Sequence, residues 1–375
     1  AIRHHTTGQL HTTPADILQA FHDYHKDLLS PRMGKTGKYT ADVNRNYPWN
    51  THKAPKDGMT DITSACNTQQ QHDCHLDTWN LITSSTTFRN TIQHLASNKA
   101  PGPDGIPNEL LRCAPDIIHQ HLHTLIKCMW HTRYTPPQLK KSETVLLYKK
   151  GDPTDTSNYR PIALANTIYK LWTAHVTLAL ATTAEKYGML SDMQEGFRKG
   201  LNTLRQARNL INAIEDAATY GNNIYTVYVD FASAFNMVDQ DKLLQIMYDL
   251  GVPEHIIDII KHIYTDNTTR IKARGIGCSP LITVDRGTIQ GDTPSPLLFL
   301  FFMEPLLRWL QHGGRGYHYG CLSTATNTHN NCSSLAFADD LALMADDIQQ
   351  LQAQCHKLTL YSQWAGMDIK YTKCA

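Results

Sequence analysis

The chain has 375 residues, of which 41% are hydrophobic and 18% are charged, enough for two or three domains with a sizeable core. Its 35 Lys and Arg residues balance 34 Asp and Glu, and a formal charge of +1 neither indicates nor excludes a nucleic-acid partner. The absence of any apolar run of about 18 residues excludes a membrane span, and nine scattered cysteines exclude a secreted disulfide framework and favour a reducing compartment.

Residues 1–95 are predicted to form an N-terminal helical extension. Ile17, Phe21, Tyr24 and Leu28 recur at helical spacing within residues 14–30, which indicates an amphipathic helix. Residues from about 32 to 77 are rich in Thr, Asn, Gln, His, Lys and Pro, and they favour a polar, flexible segment without a core of its own. A further helix is predicted over residues 79–95.

Metal-ligating residue types occur inside this polar segment. Cys66, His72, Cys74 and His75 lie close together in the sequence, but their spacing fits no zinc module. We therefore expect no structural zinc there.

The segment after residue 95 combines turns, a hairpin and helices. The run PGPDG is strong turn chemistry, and Pro107 with Glu109 opens a helix. The run ETVLLYKKGDPTDTSNYRPIAL predicts a strand, a Gly-Asp-Pro turn and a second extended segment. Long helices are predicted from Thr167 to Tyr187 and after the loop that begins at Ser191.

Basic residues in this region have two interpretations each. Lys149, Lys150 and Arg160 lie on the two arms of the predicted hairpin, where they either converge on an anion or stay solvated. The most basic local stretch either contacts phosphates or forms a solvated helix face. Its members include Arg198, Lys199 and Arg205.

The run NIYTVYVDFASAF ends a predicted strand with a carboxylate. Alternation from Ile224 to Asp230 indicates the strand, and Phe231 and Phe235 follow as the chain turns toward a helix. A carboxylate that closes an apolar strand costs desolvation free energy unless it is paired or bound to metal, although it can also cap the next helix.

The run SSLAFADDLALMADD places two adjacent aspartates between two short apolar runs. Asp339 and Asp340 are therefore predicted at the tip of a hairpin, where the two carboxylates repel each other unless a cation lies beside them. Together with Asp230 they supply three carboxylates at strand ends, the arrangement that two Mg²⁺ ions require, and oxygen ligands favour Mg²⁺ over zinc.

Between these segments, the run DRGTIQGDTPSPLLF precedes a strongly apolar helix. Gly291 permits close approach of the backbone to a ligand, and Gln290 can donate a hydrogen bond to it. The alternative is a helix-entry turn that binds no ligand.

Seven segments together resemble the reverse transcriptase of non-LTR (LINE-type) retrotransposons, from about Leu95 to the C-terminus. One such motif alone would be weak evidence, but all seven stand in the order that the family has. They are NKAPGPDGIPNELL, KKGDPTDTSNYRPIAL, MQEGFRKGLNT, VDFASAFNMVD, GTIQGDTPSPLLF, FADD and GMDIKYTKC.

The resemblance implies an α/β (α+β) right-hand polymerase fold with fingers and with an antiparallel palm sheet backed by helices. Residues 96–217 would be mainly fingers with part of the palm, and residues 218–375 the catalytic palm. The chain starts without Met and ends just after Lys373. We therefore expect a piece of a longer protein, without the thumb, a C-terminal zinc-binding segment or an endonuclease.

The resemblance also implies a role for each candidate residue. Asp230, Asp339 and Asp340 would hold two Mg²⁺ ions, for which Mn²⁺ can substitute, and Lys373 would protonate the leaving pyrophosphate. The implied template and primer contacts are Arg198, Lys199 and Arg205. The implied nucleotide-binding residues are Lys149, Lys150, Arg160, Phe231, Phe235, Gln290 and Gly291, among which Phe235 would reject a 2'-hydroxyl sterically.

The implied reaction is extension of a primer 3'-hydroxyl with dNTPs on an RNA template, with nicked target DNA as the primer. The implied partners are RNA, DNA and dNTPs, with no membrane and a nuclear or cytoplasmic location. An RNA-dependent RNA polymerase is the first rival, which Phe235 disfavours. A decayed or domesticated copy that acts only as a nucleic-acid-binding scaffold is the second, and the three intact aspartates disfavour it.

Overall fold

The computed structural model describes residues 1–31, 68–273, 275–288, 291–320 and 330–375, with the backbone alone for residues 68–72. Its helices are α1 (Pro14–Leu29), α2 (Thr68–Thr83), α3 (Ser85–Gln93), α4 (Asn108–Arg112), α5 (Asp116–Thr132), α6 (Thr167–Lys186), α7 (Thr203–Tyr220), α8 (Ala234–Met237), α9 (Gln240–Asp249), α10 (Glu254–Tyr264), α11 (Ser295–Gln311) and α12 (Ile348–Ala365). Its strands are β1 (Ile2–Arg3), β2 (Leu10–His11), β3 (Lys141–Tyr148), β4 (Tyr159–Ala165), β5 (Tyr225–Val229), β6 (Thr268–Ala273), β7 (Gly277–Cys278), β8 (Ile282–Thr283), β9 (Tyr317–Tyr319), β10 (Asn330–Cys332), β11 (Ser334–Phe337) and β12 (Asp340–Ala345). The mixed helix and strand class that the sequence predicts is confirmed.

The predictions for residues 32–95 need correction at two points. Helix α2 begins at Thr68, so residues 68–77 are helical and not part of a flexible segment. The predicted helix over residues 79–95 is two helices, because the Ser84 hydroxyl accepts the Thr87 N–H at 3.2 Å and caps α3. Composition failed at α2 because its first turn is entirely polar. Cys66 of the metal-ligating set lies outside the described residues, as does the His72 side chain.

The described residues form two compact units that interleave along the chain. The first contains the described residues of 1–37, 67–183 and 252–295, and the second contains those of 184–251 and 296–375. The order of motifs in the sequence does not show that the chain returns to an earlier unit, and the three predicted segments, residues 1–95, 96–217 and 218–375, stay a prediction.

The first unit is built on a sheet with the strand order β4-β3-β6-β7, and β8 also pairs with β6. Strands β3 and β4 form the predicted hairpin, antiparallel over seven pairs that end at Tyr148 and Tyr159. Strand β6 runs parallel to β3 on its other side. Helix α1 covers one face of this sheet, where Phe21 packs in a cluster with Ile271 and Ile282.

The PGPDG turn is fitted against the end of β4. A Cβ atom on Gly102 would lie 2.4 Å from the carbonyl carbon of Ala165, so a larger residue does not fit there. The carboxylate of Asp104 accepts the Thr167 N–H at 3.1 Å and so satisfies a donor in the first turn of α6. The motif therefore joins a strand end to a helix start within this unit.

The second unit contains a three-stranded antiparallel sheet in the order β11-β12-β5. A short segment lies alongside each of the two edge strands, β11 and β5. Residues 193–195 form backbone hydrogen bonds with Ala336 of β11, and the Tyr228 N–H of β5 donates to the Ala375 carbonyl at 2.8 Å. Each edge of the sheet thus has a backbone neighbour.

Helices pack on this sheet, as predicted. Helix α7 lies against β11 and β9, with Ala213 and Ala217 in a cluster with Tyr317 and Met344. Helix α12 packs on β12 and β5. It ends at Gly366, whose φ of +70° is the left-handed conformation typical of a helix C-terminus. Among the helices that the structure describes, none combines the length and apolar character needed to cross a membrane.

Candidate active site

The sheet of the second unit brings two predicted carboxylates to one end. Asp230 follows directly after β5, and Asp340 is the first residue of β12. Because Val229 pairs with Leu341 in antiparallel register, the ladder extended by one residue sets Asp230 opposite Asp340. Opposed residues on antiparallel strands have Cβ atoms about 4.5–5.5 Å apart on the same face. Two carboxylates predicted from separate motifs are therefore neighbours.

The third carboxylate lies on the hairpin loop itself. The pair of Phe337 and Asp340 closes a two-residue loop of Ala338 and Asp339. Ala338 has a φ of +59°, the left-handed conformation that tight hairpin turns favour. Asp339 is half-buried and Asp340 is exposed. The hairpin predicted from the two apolar runs is confirmed, with the aspartates at its tip.

A cation lies beside one of these carboxylates, Asp230. The Nζ atom of Lys373 is 3.3 Å from Oδ2 of Asp230, and 55% of the Lys373 side chain is exposed. The Lys370 N–H donates to the Asp230 carbonyl at 2.8 Å, so the backbone before Lys373 is fixed to the same strand end. An ion pair this exposed contributes at most about 1 kcal/mol to stability.

The donor set at this end of the sheet consists of carboxylate oxygens, which suit Mg²⁺. In the part of the chain that the structure describes, no three His, Cys, Asp or Glu side chains are grouped closely enough to hold one metal ion. Lys373 shows, however, that Asp230 is accessible to a cation. By the chemistry of their donors, the residues fit a divalent cation.

Of the two aromatic residues predicted to contact the nucleotide, one is accessible. Phe235 is half-buried, stacks on Phe299 with ring centroids 4.6 Å apart, and meets Phe197 edge-on at 6.2 Å. Phe231 is only 4% exposed, and its backbone pairs with Ile369. The Phe231 side chain is therefore a core residue of the second unit, and the assignment of Phe231 to nucleotide binding stays a prediction.

The predicted triphosphate residues lie in the first unit, on the β3–β4 hairpin. Lys149, Lys150 and Arg160 are all exposed. Leu147 pairs with Arg160, and the Lys149 N–H donates to the Asn158 carbonyl at 2.9 Å, so the ladder continues through Lys149. Side chains alternate between the faces of a strand. The register therefore assigns Lys149 and Arg160 to the same face of the hairpin.

Packing within the first unit explains why a glycine stands at position 291. Gly291 has a φ of +104°, and a Cβ atom there would lie 3.0 Å from the carbonyl oxygen of Ala163. The backbone at Gly291 thus approaches β4 closely, and its predicted contact with a nucleotide stays a prediction. Gln290 lies outside the described residues.

Asp292, the carboxylate that follows Gly291, was not predicted from the sequence as a buried residue. Asp292 is 4% exposed and accepts hydrogen bonds from the Tyr169 hydroxyl at 2.9 Å and from the Thr293 N–H at 2.8 Å. Burial raises the pKa of Asp292 to about 6, against the opposing effect of these donors. The pattern QGDTP signals a turn and carries no sign of this burial.

The three predicted template contacts differ in their surroundings. Arg198 donates to both carboxylate oxygens of Glu185, at 2.7 and 2.8 Å, and to the carbonyls of Ser191 and Gln194. Four of its five N–H groups are thus used inside the second unit, and its assignment to the template stays a prediction. Lys199 is exposed, and Arg205 is exposed while pairing with Glu195 at 3.0 Å.

Gln194 is a second buried polar residue whose contacts the sequence did not predict. Its side-chain amide is fully buried and contacts the backbone of Ala338, directly before Asp339. Gly196 packs on the same turn, where a Cβ atom would lie 2.3 Å from the Ala338 nitrogen. Both residues belong to the run MQEGFRKG, so the motif was visible, although its contact with the hairpin was not.

Comparison with known proteins gives a consistent result. The family model described as "Reverse transcriptase (RNA-dependent DNA polymerase)" matches residues 147–375. The Retrovirus-related Pol polyprotein from type-1 retrotransposable element R2 of Nasonia vitripennis is 26% identical over 278 residues, which are 73% of this chain and 25% of that protein. The RNA-directed DNA polymerase from mobile element jockey of Drosophila melanogaster is 26% identical over 219 residues, 58% of this chain and 24% of that protein.

This chain therefore spans about a quarter of the length of these two curated relatives. A solved structure of apo telomerase from Candida tropicalis, truncated from the C-terminal domain, gives a TM-score of 0.47 at 13% identity. That match covers 68% of this chain and 55% of the telomerase chain.

Proposed function

Because the chain belongs to the reverse transcriptase (RNA-dependent DNA polymerase) family, we propose that it carries the RNA-directed DNA polymerase activity of a non-LTR retrotransposon. The reaction is the attack of a primer 3'-hydroxyl on the α-phosphate of a dNTP, directed by an RNA template. Nicked target DNA supplies the primer, and the activity is exerted in the nucleus or cytoplasm.

One observation carries the proposal most directly. The β5–β12 register sets Asp230 opposite Asp340, and the hairpin loop adds Asp339 beside them. Three carboxylates at one end of a sheet repel one another, and this cost is tolerated where they bind cations. A scaffold that only binds nucleic acid gains nothing from this placement, because the carboxylates would repel phosphates.

In this proposal the second unit acts as the palm and the first as the fingers. Asp230, Asp339 and Asp340 would hold two Mg²⁺ ions, and Mn²⁺ can substitute. When bound, these ions lower the pKa of the primer hydroxyl and stabilise charge on the leaving oxygen. Lys373 already contacts Asp230 and is half exposed, so it can give a proton to the leaving pyrophosphate.

The remaining residues bind and select the substrates. Lys149 and Arg160 share a face of the β3–β4 hairpin and bind the triphosphate, with Lys150 left at the edge. Phe235 is held between Phe299 and Phe197, and its ring excludes a 2'-hydroxyl from the sugar site. Lys199 and Arg205 contact template phosphates at the N-terminal end of α7.

Primer extension on an RNA template tests this function. The wild-type chain is expected to incorporate dNTPs in the presence of Mg²⁺ and to discriminate against rNTPs. Asp339→Asn is expected to lose activity, whereas Asp192→Asn, an exposed aspartate of the same unit, keeps it. Preference for rNTPs would indicate an RNA-dependent RNA polymerase, and equal activity of wild type and Asp339→Asn would refute the assigned role.

A further inference from the structure

We infer that Gln194 is a positioning residue for the β11–β12 hairpin. By holding the backbone of Ala338, it fixes the orientation of Asp339. The inference rests on the proposed function of Asp339. It concerns a residue with no charge and no expected contact with substrate.

The side chain of Gln194 holds both backbone polar groups of Ala338. Its Oε1 atom accepts the Ala338 N–H at 2.8 Å, and its Nε2 group donates to the Ala338 carbonyl at 3.1 Å. The N–H belongs to the peptide group before Ala338, and the carbonyl belongs to the peptide group that joins Ala338 to Asp339. Gln194 therefore restrains both rotatable backbone angles of Ala338.

Ala338 needs such a restraint. Its φ of +59° lies in the left-handed region, which is unfavourable for a residue with a Cβ atom. A glycine at this position would avoid the cost but would add freedom to the turn. Alanine held by two hydrogen bonds gives a turn with one conformation, and hence one orientation for the residue that follows.

The surroundings keep the Gln194 side chain in place. Gln194 is completely buried, and its Oε1 also accepts the Gly196 N–H at 2.9 Å. The backbone on either side of Gln194 pairs with β11, through the Met193 carbonyl and the Glu195 N–H on Ala336. The two hydrogen bonds of Gln194 to Ala338, which we call the clamp, thus join residues 193–195 to the hairpin. The absence of a side chain at Gly196 allows this close approach.

Only an amide of this length matches the pair of groups on Ala338. Glutamate keeps the acceptor and lacks the donor, so the Ala338 carbonyl would face a carboxylate oxygen. Methionine keeps the length and loses both functions. Gln194→Met and Gln194→Glu therefore remove the clamp in two different ways with little change of side-chain size.

The chain offers a matched control in Gln354. It too is fully buried, and its Nε2 donates to the Met344 carbonyl of β12 at 3.0 Å. Met344 lies toward the end of β12 remote from Asp340. Gln354→Met therefore removes a buried amide of α12 that bonds to the backbone of β12, without touching the aspartate turn.

The experiment measures three quantities on the full chain and its variants. These are the melting temperature, single-nucleotide incorporation with Mg²⁺, and Mn²⁺ binding followed by electron paramagnetic resonance. We expect similar losses of melting temperature for Gln194→Met and Gln354→Met. Gln194→Met and Gln194→Glu should lower the catalytic rate constant and weaken Mn²⁺ binding by about 10- to 100-fold, the usual range for groups that orient metal ligands. Gln354→Met should change both by less than about twofold, and KM for dNTP should change little in any variant.

Each alternative result has a distinct meaning. If Gln194→Met loses melting temperature while keeping wild-type rate and Mn²⁺ affinity, the residue is only structural and the inference is overturned. If the wild-type chain fails to extend primers but binds Mn²⁺ through Asp339, the proposed function fails while the Mn²⁺ titrations still decide the role of Gln194. A wild-type chain that neither extends primers nor binds Mn²⁺ contradicts both.

Discussion

The carboxylate end of the second unit, which carries Asp230 and Asp340, differs from the cationic β3–β4 hairpin of the first unit in how firmly the charged groups are positioned. Asp230 and Asp340 are placed by backbone register, at the first positions beyond or within paired strands. Lys149 and Arg160 are also placed by register, but their charges are at the ends of long, exposed side chains. The two kinds of residue differ in side-chain length. An aspartate carboxylate lies close to the backbone and is positioned by it, whereas the charged groups of Lys and Arg are separated from the backbone by several rotatable bonds.

This contrast separates two kinds of site. A metal site needs several oxygens within a few tenths of an ångström of set positions, which short side chains on a sheet can supply. A triphosphate carries diffuse charge, so flexible cations can settle on it after it binds, at a cost in side-chain entropy. We therefore expect the carboxylate end to govern the catalytic rate constant and the hairpin to govern KM.

The largest expected effect concerns the opposed pair. Asp230→Asn should lower the rate constant of incorporation by about 10³-fold or more, because metal-assisted stabilisation of charge is worth several kcal/mol. If the carboxylates act as a unit, the double variant with Asp340→Asn should be little worse than the worse single variant. Single-turnover primer extension measures this. Multiplicative losses in the double variant would show that the two residues act independently.

The next effect concerns the cation beside them. Lys373→Ala should lower the rate constant by about 10²- to 10³-fold, as expected for loss of a group that acts on transition-state charge. Its melting temperature should hardly change, because the ion pair with Asp230 is exposed. Lys370→Ala is the matched control, since Lys370 is exposed and contacts Asp230 only through its backbone. Equal activities of the two variants would remove Lys373 from the mechanism.

A third prediction concerns the pH dependence of stability that arises from Asp292, a buried carboxylate of the first unit. Asp292 has its pKa raised from 3.8 to about 6, so the folded chain binds more protons than the unfolded chain between those pH values. The free energy of unfolding should therefore fall as pH rises from about 4 to 6, by about 3 kcal/mol at 1.36 kcal/mol per pKa unit.

Urea denaturation of wild type and Asp292→Asn across this pH range measures the contribution by difference. Asparagine does not titrate, so the variant should lack this part of the decline. Other groups, such as Glu304 in the second unit, titrate alike in both proteins and cancel. Parallel stability curves for the two proteins would show that folding does not raise the pKa of Asp292.

The smallest effects are expected on the cationic hairpin. Arg160→Ala and Lys149→Ala should each raise KM for dNTP by about 10-fold, the size of one charge-assisted hydrogen bond in water-accessible surroundings, with little change in the rate constant. Lys150→Ala should change KM by less than about twofold, because register assigns the neighbouring lysine to the face of Arg160. Steady-state kinetics across dNTP concentrations measures all three. A larger effect for Lys150 would reverse the assignment.

Structural elements that depend on interactions between residues close together in the sequence were predicted best. The β3–β4 hairpin, the aspartate hairpin and the strand before Asp230 depend on alternation and turn chemistry within a few residues, and the sequence predicted all three. The break at Ser84 and the start of α2 were missed, because capping and a polar first turn give weak signals in composition.

The surroundings of individual side chains were harder to predict. Arg198 was assigned to the template by its charge, yet its partner Glu185 lies across a loop. Asp292 and Gln194 were overlooked because burial is a property of the fold, and an uncharged amide gives no electrostatic signal. The resemblance to a family drew attention to the right runs of sequence, but the hydrogen bonds alone give Gln194 its role.

The segments beside β5 and β11 have a further consequence, for the solubility of the second unit. A sheet edge with free N–H and carbonyl groups is a template for pairing with another chain, and the pairing leads to aggregation. Residues 369–375 occupy this position along β5, through the hydrogen bonds of Tyr228 with Ala375 and of Lys370 with Asp230. The peptide that brings Lys373 to the carboxylates thus also shields a strand, and shortening it is expected to produce a protein that self-associates as well as one that fails to catalyse.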